Sequence, residues 1–220
     1  MTLSQYQRIA SFWDSDNDEI TQIALIVCDM YGMTYDEVNT MNPKKFIRLS
    51  KQIEKSFIRL DKKPFFSSYK FTTDATKINL GQFIEVQHFM KQGEIDAMHL
   101  ISASIWQDKR DHALKASILL NLNVRHVLKD FTLFLLSFSE LLKSYKGLFE
   151  VEQVEEEDED AKMEKPHSFI EQYGWIYSAK QIAEHEGISL DKAFELPILQ
   201  AFNTLAYLKS FQSYQKYINK

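Results

Sequence analysis

The stretch AEHEGISLDKAFELPILQAF, residues 183–202, holds in miniature the pattern from which this chain is built. A helical pattern runs into Gly187, a residue that ends helices by entering the left-handed region without steric cost. Two residues on, Ser189 supplies the hydroxyl that caps a new helix start. ISLDKAFEL then reads as a short helix, and Pro197 restarts the chain for the last one, PILQAFNTLAYLKSFQSYQKYI. The same order occurs upstream. Gly32, Thr34, Asp36, Met41 and Pro43 correspond to Gly187, Ser189, Asp191, Leu196 and Pro197, with the last pair offset by one. Two readings follow: a duplicated module, or one turn solution used twice.

Working outward, apolar residues recur mostly at helical spacing, and only six Gly and four Pro interrupt them, so the expected fold class is mainly α. Ile20, Ile23, Ala24, Val27, Cys28 and Tyr31 form one stripe ending at Gly32. TYDE, residues 34–37, reads as a capping box, and Asn42 followed by Pro43 opens the next helix. A buried helix is expected over 82–93, another helix over about 95–106, then a short one after QDKRD. The longest, 124–149, would reach about 39 Å at 1.5 Å per residue. Between residues 65 and 80 the pattern changes: FFSSYKF and KINL are β-prone runs separated by the polar spacer TTDAT, which predicts a small β-hairpin. The expected organisation is a multi-helix body over 1–149, an acidic linker over 150–167 and a C-terminal helical interaction segment over 168–220.

Composition is that of a folding chain: 45% hydrophobic, 13% aromatic and 26% charged, too apolar for general disorder. The net charge of -5 conceals a strong asymmetry. Residues 150–164 hold nine acids against one base and carry -8, leaving +3 for the rest. Glu155, Glu156, Glu157, Asp158, Glu159 and Asp160 are consecutive, and such runs repel themselves and resist compaction. A surplus of +3 over some two hundred residues lacks the concentrated charge of a dedicated nucleic-acid binder. The single Cys28 gives no disulfide framework. The longest apolar run, FTLFLLSF, is far short of the roughly 20 residues a membrane helix needs, and the N-terminal residues lack a basic cluster before an apolar stretch, so neither membrane span nor export signal is expected.

Chemistry leaves little trace. DSDNDE places Asp14, Asp16 and Asp18 in the alternation of a calcium loop, but the sixth position is Glu19 instead of Gly and the twelfth is Leu25 instead of Glu, so a helix start capped by Asp16 is the better reading. His88, His99, His112, His126, His167 and His185 are scattered without metal spacing. No GxSxG, GxxxxGK[ST] or GxGxxG occurs, and the chain is expected to have no catalytic residue, no metal and no cofactor. QIAEHEGISLDKAFEL resembles a helix-turn-helix, yet its second helix carries Asp191 and Glu195 against Lys192, which phosphate would repel. A DNA-binding regulator stays as an alternative. The informative excess is aromatic: Phe169, Tyr173, Trp175, Tyr177, Phe194, Phe202, Tyr207, Phe211, Tyr214 and Tyr217 crowd the last fifty-two residues. So short a segment does not enclose so many rings alone, so some are expected to pack on the chain's own body or on another chain, where Trp and Tyr serve as anchors, and partner binding is the sharper of the two readings.

TKINLGQFIEVQHFMKQGEIDAMHLISASIW (76–106), the acidic run, and FIEQYGWIYSAKQIAEHEGISLDKAFELPILQAFNTLAYLK (169–209) together resemble a group of virion structural proteins of crAss-like bacteriophages. That group has a hairpin leading into a T-x-GQ-[YF]-I-[DE] helix, then a [KQ]-[WY]-GW helix before a Pro-marked final helix. The matching positions are Gly81, Gln82, Phe83, Ile84 and Glu85, then Gln172, Tyr173, Gly174 and Trp175, then Pro197. Asn79-Leu80 departs from the expected Thr-x, and Tyr173 stands where Trp is typical. The resemblance spans about residues 31–220 and implies a ring-forming neck or tail subunit between portal and tail, a homo-oligomer assembled in the bacterial cytoplasm and carried in the virion. It also implies contact with portal or other tail proteins, and DNA passing through without being read. A tail-assembly chaperone is the neighbouring alternative. The expected partner-binding residues are Phe83, Tyr173, Trp175, Tyr177, Phe194, Phe202, Tyr207 and Phe211, with the acidic linker as a spacer.

Overall fold

Local hydrogen bonding sets the helix boundaries. The computed structural model describes residues 1–13, 15–58, 60, 64, 67–149 and 167–219. Among them are twelve α-helices and no strand. The first seven are α1 (Leu3–Trp13), α2 (Glu19–Tyr31), α3 (Tyr35–Asn39), α4 (Pro43–Phe57), α5 (Leu80–Met90), α6 (Met98–Ile105) and α7 (His112–Asn121). The remainder are α8 (Leu128–Ser144), α9 (Lys146–Phe149), α10 (His167–Glu186), α11 (Leu190–Glu195) and α12 (Ile198–Ile218). The cap of α2 is Asp18, two residues later than expected. Its carboxylate accepts from the Ile20 and Thr21 amides at 3.0 and 3.1 Å, and from the Thr21 hydroxyl at 2.6 Å. Those bonds, the hydroxyl's first, hold the Asp18 carboxyl below its usual pKa.

The repeated punctuation is real at the level of hydrogen bonds. Gly32 and Gly187 sit at φ +64° and +66°, a region that L side chains rarely adopt. Past each glycine the next amide reaches back five residues, Met33 to Cys28 O and Ile188 to Ala183 O, both at 3.0 Å. Thr34 and Glu37 then complete a reciprocal box at α3, and Ser189 caps α11 through the Lys192 amide at 3.4 Å. Asn42 caps α4 with Pro43 as its first residue, whereas Pro197 itself is the cap of α12, which accounts for the one-residue offset.

The expected hairpin is absent among the described residues, because each β-prone run is paired elsewhere. The Thr72 amide donates to Ile105 O and the Gln107 amide to Lys70 O, both at 2.9 Å, which makes a single bridge between Phe71 and Trp106. Likewise the Leu80 amide donates to Leu196 O at 2.9 Å and the Ile198 amide to Ile78 O at 3.0 Å, bridging Asn79 and Pro197. Between them Asp74 draws the spacer into a 3₁₀ turn, Ala75–Lys77. The single long helix is also corrected. A 3₁₀ turn, Val124–His126, precedes α8, and α9 follows as a separate turn. At 17 residues α8 reaches about 26 Å.

The chain divides into two compact units, Met1–Thr73 with Glu85–Leu135, and Asp74–Ile84 with Leu136–Lys220. The C-terminal helices share their unit with residues 74–84 and with the end of α8. In the first unit Ile9 of α1, Ile26 and Val27 of α2, Val38 of α3, and Leu49 and Ile53 of α4 form one buried cluster. The acidic linker lies outside the described residues. No helix among those described is long and apolar enough to cross a membrane.

Candidate functional site

The second unit is organised around Phe83. Asn79 caps α5 by accepting the Gln82 amide at 2.8 Å, while Gln82 Oε1 accepts the Asn79 amide at 3.1 Å. At Gly81 a Cβ would lie 3.3 Å from the Phe194 carbonyl oxygen, so this helix turn approaches α11 closely only because the side chain is hydrogen. Phe83 is thereby set among aromatic rings. It stacks on Phe138 at 5.2 Å and meets Trp175 and Phe202 edge-on at 5.1 and 4.9 Å. Tyr145 adds an edge contact to Phe202 at 5.0 Å and donates its hydroxyl to Asn203 Oδ1 at 2.8 Å.

This cluster divides the residues expected to bind partners. Phe83 and Phe202 have no exposed surface and belong to the interior, so they do not form a docking face. Trp175 and Phe194 are half-buried. Tyr173, Tyr177, Tyr207 and Phe211 are exposed, which leaves them as the outward members of the set. The reason is helical phase: on α10 Ala179, Ile182 and Ala183 face inward with Trp175, and Tyr173, Ile176 and Tyr177 take the other side.

No protein-family model, curated protein or solved structure matches the chain.

On α12 the inward face of Ile198, Ala201, Phe202 and Thr204 gives out after about two turns. From Ser210 to Asn219 every residue is exposed. Tyr207, Phe211, Tyr214 and Ile218 stand at i, i+4, i+7 and i+11, one apolar stripe with 54%, 43%, 59% and 56% of their surface open. Tyr207 stacks on Phe211 with rings 8° from parallel, and His185 of α10 lies 5.4 Å from Tyr207. Beside the stripe a cleft of about 570 Å³ is lined by Tyr145, Gly147, Lys209, Ser210 and Ser213, with Lys209 Nζ donating to Gly147 O at 2.6 Å. The whole of α12 carries Lys209 and Lys216 and no acid. Sequence reasoning counted Tyr214 among the aromatic excess without assigning it a role, and it missed Ile218. The heptad-like spacing of the four was the available signal.

The helix-turn-helix reading fares differently. α11 has six residues, about 9 Å, and its exposed side chains include Asp191, Lys192 and Glu195 while Ala193 is buried. Two acids to one base on so short an element present nothing suited to a DNA groove.

Proposed function

We propose that the chain is a structural subunit of a bacteriophage neck or tail, assembling by protein–protein contact into a ring between portal and tail. The observation that carries this reading is the open stripe Tyr207, Phe211, Tyr214 and Ile218 on α12. Burying a side chain of this kind contributes about 1.5–3 kcal/mol, and the chain's own fold leaves four of them in water on one helix face. A second support is that the positions carrying the virion-protein resemblance, Glu85 apart, fall in one unit. Gly81 abuts Phe194, Phe83 packs on Trp175, and Asn79 bridges Pro197. Residues so placed explain a recurring pattern by packing, as a structural subunit requires.

Ring closure uses head-to-tail contacts in which two different patches meet, so removing one patch leaves subunits unassembled. The test is the mass of the purified full chain by light scattering, with the double variant Tyr207→Ser/Phe211→Ser beside it. A closed oligomer that becomes a folded monomer in the variant is the expected result; a wild-type chain that stays monomeric at high concentration would sink the reading. Proteomics of purified particles separates the neighbouring case, since a tail-assembly chaperone is abundant in infected cells and missing from particles.

A further inference from the structure

The first unit carries a feature that the ring reading does not use. On α4, Lys44, Arg48, Lys51 and Lys55 stand at i, i+4, i+7 and i+11, all exposed, along about 16 Å of helix. None of the four makes an ion pair with a described residue. With Lys45 the helix holds five bases against Glu54, a concentration that the chain-wide surplus of +3 conceals. The apolar face of α4 is committed to the core through Leu49 and Ile53, so the helix is not free to lie in a lipid surface. Lys51 also borders an apolar groove of about 520 Å³ walled by Trp13, Ile23, Phe46, Ile47 and Phe57, with Glu19 and Glu54 as its acids. Ile47 and Trp13 are more than half exposed there.

The groove's own lining holds Lys51 against two acids, so it is the basic stripe along α4, and not the groove, that fits an acidic segment. The chain itself contains an acidic segment outside the described residues: VEQVEEEDED, residues 151–160, with six consecutive acids after Val154. Ten residues reach about 33 Å when extended, twice the length of the basic stripe. We infer that the basic stripe of α4 receives residues 151–160 of a second copy, with carboxylates along Lys44, Arg48, Lys51 and Lys55. This rests on the ring reading and supplies its head-to-tail contact with a named donor and acceptor. It also gives the acidic linker a second duty besides spacing: it steers copies together at long range and is screened by salt.

The test is carbodiimide crosslinking of an equal mixture of isotope-labelled and unlabelled full chain, read by mass spectrometry. Amide links between Lys44, Lys51 or Lys55 and the acids at 155–160 are expected in mixed-isotope pairs, with a yield falling about tenfold or more between low and high salt. The reversal Arg48→Glu/Lys51→Glu abolishes them, and the compensating Glu156→Lys/Asp158→Lys chain, mixed with that variant, restores association. No links, links only within one chain, or loss of the links to equimolar duplex DNA would each overturn the proposal, the last by assigning the stripe to nucleic acid. Mass measured on the same samples keeps the two readings apart. A ring-sized wild-type assembly without mixed links sinks the docking alone, whereas mixed links in an assembly no larger than a dimer uphold the docking and sink the ring.

Discussion

Phe83 of α5 meets Phe202 of α12 at 87°, ring centroids 4.9 Å apart, and neither side chain touches solvent. The pair joins elements more than a hundred residues apart in sequence and marks the centre of the second unit. Phe83→Ala or Phe202→Ala should each lower unfolding stability by about 3–5 kcal/mol, the cost of lost burial plus the cavity left behind. Phe211→Ser on the open stripe should change it by no more than about 0.5 kcal/mol. Urea denaturation followed by circular dichroism checks both, and similar losses at the buried and open positions would contradict the division of the aromatic set.

Gly32 and Gly187 share a left-handed conformation, and a Cβ added at either would find nothing within 4 Å. Any penalty for alanine is therefore conformational. Gly32→Ala and Gly187→Ala should each cost about 1–2 kcal/mol, and by nearly equal amounts. Denaturation midpoints provide the comparison. A large inequality would mean that one of the two turns is not the device described.

His99 links stability to pH. Burial, the larger influence, pushes its pKa below the usual histidine value, and its Nδ1 lies 3.1 Å from Gln7 Nε2, which also donates to Ile95 O and Asp96 O at 2.7 and 2.6 Å. Because the folded pKa lies below the unfolded value of about 6.5, the unfolded chain binds the proton first. This contribution is flat above neutrality and turns destabilising as pH falls through about 6.5, levelling only below the folded pKa. Denaturation midpoints over that range should fall with acid in the wild type and fall less in His99→Gln.

Ser102 of α6 has its hydroxyl fully buried and hydrogen-bonded to no described group. Removing an unsatisfied buried hydroxyl relieves a desolvation cost of about 1–3 kcal/mol, offset by a small void. Ser102→Ala should therefore leave stability unchanged or raise it by about 1 kcal/mol, measurable as a higher melting temperature. A clear loss would show that the hydroxyl has a partner after all.

Where a feature depends on neighbours within four or five residues, the sequence determined it. The capping box at Thr34, the Asn42–Pro43 start, the glycine stops at 32 and 187 and the Ser189 cap all close hydrogen bonds between groups that chain connectivity already holds close. Reciprocal boxes at Thr2–Gln5 and Asn79–Gln82 were equally legible and went unread. Tertiary structure alone decided what distant groups decide. Residues 70–72 and 78–80 have strand character, but their amides and carbonyls found Ile105, Gln107, Leu196 and Ile198 in place of each other. Phe83 and Phe202 are as aromatic as Phe211, yet burial depends on whether another element covers a ring, and that information is carried by the packing of helices more than a hundred residues apart.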